Sequence, residues 1–418
     1  MKKIILLVVL IHTFSLESQN QETFESIDSL ILRGRYKVAL TKLNSFEDSF
    51  RKQNTIASIY YQLDKTKEAV KYYRKALDIK DDYKAKVQLG KSYQKLRIHS
   101  KTIDIYESIL KTDPQNLLIK YQLGKLYLTK RRANVAIKTF EELCGIDKTN
   151  PNYAYQKGVA YAMKKDRNAM IDSFLEAYAI DSTHIKSIYQ LANSYYKLKD
   201  KDSTSLFLEK GLQLEPYHIN LNRLKVNETY RHKKYKVTLQ LLEKLDTLTP
   251  GQLFVINMFG RTHYNLGNYE ESKEYFDTSK SMDRTDFKIL TYLGHIEMKL
   301  ENYQRAMMNY SFATFLGKEK RDEEYYGMGH AHLKLKQPKR AIAMFDKAYK
   351  ENRSNHKALY QLAKTSDDYF KDKKLVYKHY DQYVMQFEFM DKDLAAYAKR
   401  RMKEIKKDYF LRGEKIGD

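Results

Sequence analysis

The chain has 418 residues, of which only 15 are Gly, 5 Pro and 1 Cys, and 31% are charged. A single hydrophobic core rarely grows past roughly 250–300 residues, and such scarce glycine and proline exclude a protein of many short strands and tight turns. With 42% apolar residues but a mean hydropathy of −0.69, the chain is neither disordered nor one thick globule. It reads as long helices in a thin array, with much of each helix in water. Lys and Arg outnumber Asp and Glu by 76 to 53, a net charge of +23, which raises acidic and anionic partners.

In chain order, residues 1–18 read as an export signal: Lys2 and Lys3 precede an unbroken apolar run from Ile4 to Ile11, and Ser15 and Ser18 offer small residues for cleavage. The run is shorter than the about 20 residues that cross a bilayer, and no later stretch is apolar enough to span. No Cys follows it for lipid attachment. These features predict a chain that is exported, to a periplasm or an envelope-associated site or into the medium, with no transmembrane segment once mature. Nucleic acid is then not an expected partner. Cys144 is the single cysteine and reads as a small apolar core residue, and the 11 histidines are scattered without zinc-site spacing.

Beyond the signal, small residues recur at Ala57, Gly90, Gly124, Gly158, Ala192, Val226, Gly260, Gly294, Gly329 and Ala363, with gaps of 33 to 35. Three residues after the small position come Tyr60, Tyr93, Tyr127, Tyr161 and Tyr195, then His263 and His332. Sixteen after it lie Tyr73, Tyr106, Phe140, Phe174, Leu208, Leu242, Phe276, Tyr310 and Phe345. Such a register marks a repeat array. Within the copy at 117–150, Leu118, Leu123 and Tyr127, then Val135, Phe140 and Leu143, follow helical spacing in two runs that Lys130-Arg131-Arg132 interrupts. Ordering 34 residues costs about 1.5 kcal/mol each; two short helices cannot offset that alone, so stacking on neighbours is compulsory.

Leu89-Gly90 with Tyr93 and Leu123-Gly124 with Tyr127 resemble the L-G-x2-Y element of the tetratricopeptide repeat. Ala69 with Tyr73, Ala136 with Phe140, Ala306 with Tyr310 and Ala341 with Phe345 are similar to its A-x3-aromatic element. Pro114, Pro216 and Pro250 stand at its closing proline, and Gly34-Arg35-Tyr36 and Gly267-Asn268-Tyr269 at its inner turn. The resemblance implies an all-α fold, an α-solenoid: a right-handed superhelix of about ten to eleven helix-turn-helix repeats. It covers 50–389, with repeats starting near 50, 83, 117, 151, 185, 219, 253, 287, 322 and 356, and a degenerate copy at 20–49. Residues 390–418 are then a capping helix and tail. Trp is absent, Val226 replaces a small residue, and the copies at 219–252 and 356–389 are eroded, so both are expected to bend the array or pack loosely.

In that family the first helices line a concave groove, and stacking turns each repeat position into a stripe. The resemblance therefore places Tyr121, Tyr155 and Tyr189, Tyr196, Tyr230 and Tyr264, and Lys91, Lys125, Asn193, Asn227, Arg261, His295 and His330 on the groove. Tyrosines interleaved with amides and cations suit an extended polypeptide. A second line is basic: Lys95, Arg97, Lys130, Arg131, Arg132, Lys164, Lys165, Lys197, Lys199, Arg231, Lys233 and Lys234 fall near the inner turns. They form a ridge that could dock on an anionic glycan or lipid, although the end of a helix favours cations in any case.

No motif points to an enzyme or a cofactor: there is no glycine-rich phosphate loop, metal-ligand cluster or nucleophile elbow. His263 and His332, in the tyrosine register, read as core residues, and Glu141-Glu142 and Glu323-Glu324 as solvated carboxylate pairs. The expected activity is an interaction scaffold that binds a protein or peptide in its groove, an acidic one suiting the net positive charge. The alternative is an envelope module docked through the ridge.

Overall fold

The structure is a computed structural model that describes residues 24–317 and 320–416; the export signal read at 1–18 lies outside them. The described residues form an all-α solenoid of helices and short turns, without a strand. The chain parts into two compact units, the first ending at Leu214 and the second beginning at Glu215.

Unit 1 opens with a helix over 24–32 (α1) and α2 (Tyr36–Asn44), followed by α3 (Phe50–Gln62) and α4 (Thr66–Ile79). Then come α5 (Tyr83–Lys95), α6 (His99–Thr112), α7 (Leu117–Thr129), α8 (Ala133–Ile146), α9 (Pro151–Lys164), α10 (Arg167–Ile180), α11 (Ile185–Leu198) and α12 (Lys201–Leu214). Unit 2 holds α13 (Ile219–Arg231), α14 (Tyr235–Leu248), α15 (Leu253–Leu266), α16 (Tyr269–Met282), α17 (Phe287–Lys299) and α18 (Tyr303–Leu316). It continues with α19 (Asp322–Lys334), α20 (Pro338–Glu351), α21 (His356–Tyr369), α22 (Lys374–Phe387) and α23 (Lys392–Leu411).

Local chemistry sets the helix ends. First helices start on polar caps: the side chains of Asp82, Asn116 and Asn355 each accept from the backbone N–H three residues on. Every inner turn from the first hairpin to α19–α20 uses one left-handed residue, supplied by Gly34 and Gly267 but elsewhere by Asp64, Arg97, Arg131, Lys165, Lys199, Lys233, Glu301 and Lys336, with φ from 56° to 62°. A side chain in that region costs roughly 1–2 kcal/mol.

The hairpins close on the small residue and the ring sixteen positions later. A Cβ on Gly124 would lie 2.7 Å from the Phe140 ring, and one on Gly294 2.5 Å from that of Tyr310. The copy at 219–252, expected to pack loosely, closes on smaller parts: Val226, Leu242 and Leu245 are fully buried together. Thr229 stands in its tyrosine register and accepts a 3.1 Å hydrogen bond from Thr238, so two hydroxyls fill the space of a ring.

Cys144 is half-buried against the unit 1 core, and burial pushes its thiol up to about 11. The end of unit 2 is covered by α23, which buries Ala395, Ala398, Ile405 and Tyr409. Arg401 on α23 donates Nε to Oδ2 of Asp367 at 2.6 Å and Nη2 to Oδ1 at 3.1 Å, and Lys373 Nζ approaches the same carboxylate at 3.2 Å. Asp367 is nearly buried; its desolvation is outweighed by these two cations, which hold its carboxyl below the ordinary range.

Candidate interaction surface on the first helices

In unit 1 the groove positions lie on α5, α7, α9 and α11. Lys91 and Lys125 are exposed, and Tyr121, Tyr155, Tyr189, Asn193 and Tyr196 are half-buried. The tyrosines serve the core as well as the surface. The Tyr121 ring packs 6.1 Å from Phe140 and 5.5 Å from Tyr153, and the Tyr155 ring 5.6 Å from Phe174. The Lys125 ammonium lies 5.6 Å above the Tyr121 ring, while Lys91 and Asn193 have no hydrogen-bond or ionic partner among the described residues.

A further line here was not singled out from the sequence. Two residues before the small position stand Gln88, Gln122, Gln156 and Gln190, one on each successive first helix and each half-buried. Gln122 Oε1 accepts a long hydrogen bond from Gln94 at 3.5 Å, which bridges α5 and α7. The amides of Gln88, Gln156 and Gln190 have no partner among the described residues. A fixed 34-residue recurrence would have revealed the line.

In unit 2 the equivalent face, on α13, α15, α17 and α19, is tied to itself. The Arg261 guanidinium sits 5.6 Å from the Tyr230 ring and 5.4 Å from the Tyr292 ring, and its Nε donates to the Tyr292 hydroxyl at 3.0 Å. Asn265 donates to the Tyr230 hydroxyl at 2.9 Å. The Tyr264 ring packs 6.1 Å from Tyr292, which in turn stacks 4.9 Å from Phe276. Burial raises the phenols of Tyr230 and Tyr264 above their ordinary value.

His295 Nδ1 lies 2.7 Å from the Tyr310 hydroxyl and Nε2 lies 2.9 Å from Glu323. The carboxylate accepts from Nε2–H, and in the neutral ring Nδ1 accepts from the Tyr310 hydroxyl. The bond from Nε2–H holds the Glu323 carboxyl below its usual value. The His330 ring packs 4.6 Å from Tyr326 and 5.2 Å from Phe345, and burial lowers its basicity. Asn227, half-buried, stands outside these networks.

One sequence expectation is corrected. Glu324 is not solvated: it is buried and accepts from Thr291 Oγ1 at 2.6 Å, a partner one repeat away. Glu323, Glu141 and Glu142 are exposed as expected, and each still has a partner: Glu323 is engaged by His295, Glu141 accepts from the Tyr161 hydroxyl at 3.0 Å and Glu142 from Lys120 at 3.1 Å. His332 is buried with Nδ1 2.9 Å from Gln337, and the half-buried His263 ring stacks 5.5 Å from Tyr275.

The basic turn residues Arg97, Lys130, Arg131, Arg132, Lys164, Lys165, Arg231, Lys233 and Lys234 are all exposed. Among the described residues no three His, Cys, Asp or Glu side chains are grouped to hold a metal ion, and no helix is long and apolar enough to cross a membrane.

A family model described as the tetratricopeptide repeat matches at 53–83, 119–150, 185–218, 255–286 and 325–355. The five matches fall on alternate copies, and three of the four copies between them carry the same small-residue-on-ring closure, Gly90 against Tyr106, Gly158 against Phe174 and Gly294 against Tyr310. The chain is a tetratricopeptide-repeat protein. A comparison with curated proteins gave no match. Among solved structures this tetratricopeptide chain is similar to yeast Tom70, at 12% identity over 93% of this chain and 96% of that one, TM-score 0.43. It is also similar to Pseudomonas aeruginosa PilF, at 14% identity over 52% and 97%, TM-score 0.44. A third is MamA of Desulfovibrio magneticus RS-1, at 18% identity over 42% and 99%, TM-score 0.38. The family assignment rests on the repeat matches and the packing, not on these likenesses.

Proposed function

We propose that this tetratricopeptide protein is a non-enzymatic scaffold of the cell envelope that holds a polypeptide segment against its first helices. The observation that carries the reading is the set of tyrosine, amide and cationic side chains on α5, α7, α9 and α11, half-buried or exposed at recurring repeat positions. Amides match the donors and acceptors of a peptide, rings cover its apolar parts, and Lys91 and Lys125 suit its carboxylates. Export rests on the N-terminal residues 1–18. The test is capture from the exported fraction by wild type and by a Lys91→Ala, Lys125→Ala, Asn193→Ala variant of equal helicity. Loss of a co-purifying polypeptide is expected; undiminished capture would move binding to another face. Mass spectrometry of the chain from that fraction should find a mature N-terminus near residue 18, and an intact Met1 would remove the envelope assignment.

One observation favours a second reading. Four successive inner turns of unit 1 place Arg97, Arg131, Lys165 and Lys199 in the left-handed region that glycine adopts freely. None of these cations has an acidic partner among the described residues. Docking on an anionic envelope surface through them predicts salt-sensitive sedimentation with vesicles containing phosphatidylglycerol. Charge reversal of Lys130, Arg131, Lys164 and Lys165 should abolish it.

A further inference from the structure

The amide line of unit 1 has a period, and the period selects a ligand conformation. Gln88, Gln122, Gln156 and Gln190 recur once per first helix on α5, α7, α9 and α11. Successive first helices are neighbours: α7 touches α9, Gln94 of α5 reaches Gln122 of α7, and the Tyr155 ring of α9 packs 5.5 Å from His184 at the N-cap of α11. Packed helices lie about 8–10 Å apart, so the amides offer one grip per about 8–10 Å. A β-strand returns the same face every two residues, about 6.6 Å, and falls out of step. A polyproline-II segment returns the same face every three residues, about 9.3 Å, and keeps step along the line. It also carries no internal hydrogen bonds, so its carbonyls remain open to the side-chain N–H groups.

We infer that unit 1 binds an extended polypeptide in the polyproline-II conformation, about 12 residues long, with one main-chain grip by a glutamine for every three residues. This rests on the reading above that the chain holds a polypeptide. The flanking residues give the ligand a polarity. One turn after the four glutamines stand Lys91, Lys125, Val159 and Asn193, so the cations sit on α5 and α7 only. Acidic residues of the ligand belong at that end, and neutral ones over α9 and α11. Tyr121 and Tyr155, half-buried beside Gln122 and Gln156, leave part of their ring surface to cover prolines of the ligand. Unit 2 does not continue the line: the same positions hold Leu224, Met258, Tyr292 and Gly327, and Gln361 on α21 stands alone beyond them.

The experiment selects a phage-displayed library of random 12-residue peptides on the immobilised full-length chain. Enriched peptides are then titrated as synthetic acetyl-amide peptides against three proteins of equal helicity: wild type, a Gln122→Ala, Gln156→Ala, Gln190→Ala variant, and Tyr292→Phe in unit 2. Alanine favours helix more than glutamine does, so the triple variant keeps its fold. The expected result is proline recurring at three-residue spacing with acidic residues toward one end, affinity at least tenfold weaker on the glutamine variant, and no change on Tyr292→Phe. Peptides with two-residue apolar alternation, or bound equally by the glutamine variant, would overturn this inference while leaving polypeptide binding intact. A library with no enriched peptide would overturn both.

Discussion

Unit 1 and unit 2 are built from the same hairpin, yet their first helices spend polar groups differently. In unit 1, Lys91, Asn193 and the amides of Gln88, Gln156 and Gln190 have no partner among the described residues. In unit 2, Arg261 is held between two tyrosines, and His295 links Tyr310 to Glu323. The lesson is that a repeat position fixes where a side chain stands, while its neighbours fix what it is free to do. Groups already satisfied at home gain little from a ligand, because binding must first break what they have.

The largest effect is expected at the end of unit 2. Asp367→Ala leaves Arg401 and Lys373 without their shared carboxylate and should destabilise that unit by about 3–5 kcal/mol in urea unfolding. The depressed carboxyl of Asp367 contributes stability above its unfolded value of about 3.9; that contribution fades as pH falls through the lower folded value. Acid titration followed by tyrosine fluorescence should therefore lose an acid-sensitive component in Asp367→Ala, and an unchanged acid limb would contradict the pairing.

Next come the closures that both units share. Gly124→Leu and Gly294→Leu drive side chains into Phe140 and Tyr310 and should each cost about 3 kcal/mol, whereas Gly145→Ala, with open space around its Cβ, should gain up to about 1 kcal/mol. A tolerated Gly294→Leu would break the likeness of the two hairpins.

The difference between the units is sharpened by a smaller effect. A double-mutant cycle on Arg261→Ala and Tyr292→Phe should give a coupling near 1 kcal/mol. Gln156→Ala in unit 1 should stay within about 0.5 kcal/mol of wild type. Equal effects at the two sites would erase the contrast. Smallest of all, Arg131→Gly relieves a left-handed turn in unit 1 but adds freedom to the unfolded chain, and should raise stability by only about 0.3 kcal/mol.

The fold was legible because one volume rule repeats: a small residue, and a large one sixteen later, stand in register from Ala57 to Phe345. Where the rule lapses, at Val226, it lapses on both sides, since Leu242 replaces the ring. The surface was less legible. Following the small position by one, four or minus three residues finds Lys125, Tyr230 and Tyr155, but misses the glutamines at minus two and Tyr292 among them. Polar pairs across repeats were beyond reach altogether. Asp367 meets Arg401 and Thr291 meets Glu324 at separations of 34 and 33 residues, where periodicity predicts proximity but not which polar groups turn toward each other.

Site-specific photo-crosslinking measures the contrast most directly. The photoreactive residue p-benzoylphenylalanine replaces Gln156 in one chain and Tyr264 in another, and each is irradiated in the cells that express it. A discrete polypeptide adduct at position 156, absent at 264, is expected if the free face of unit 1 is the one that grips. Adducts at 264 alone, or at neither position, would contradict it.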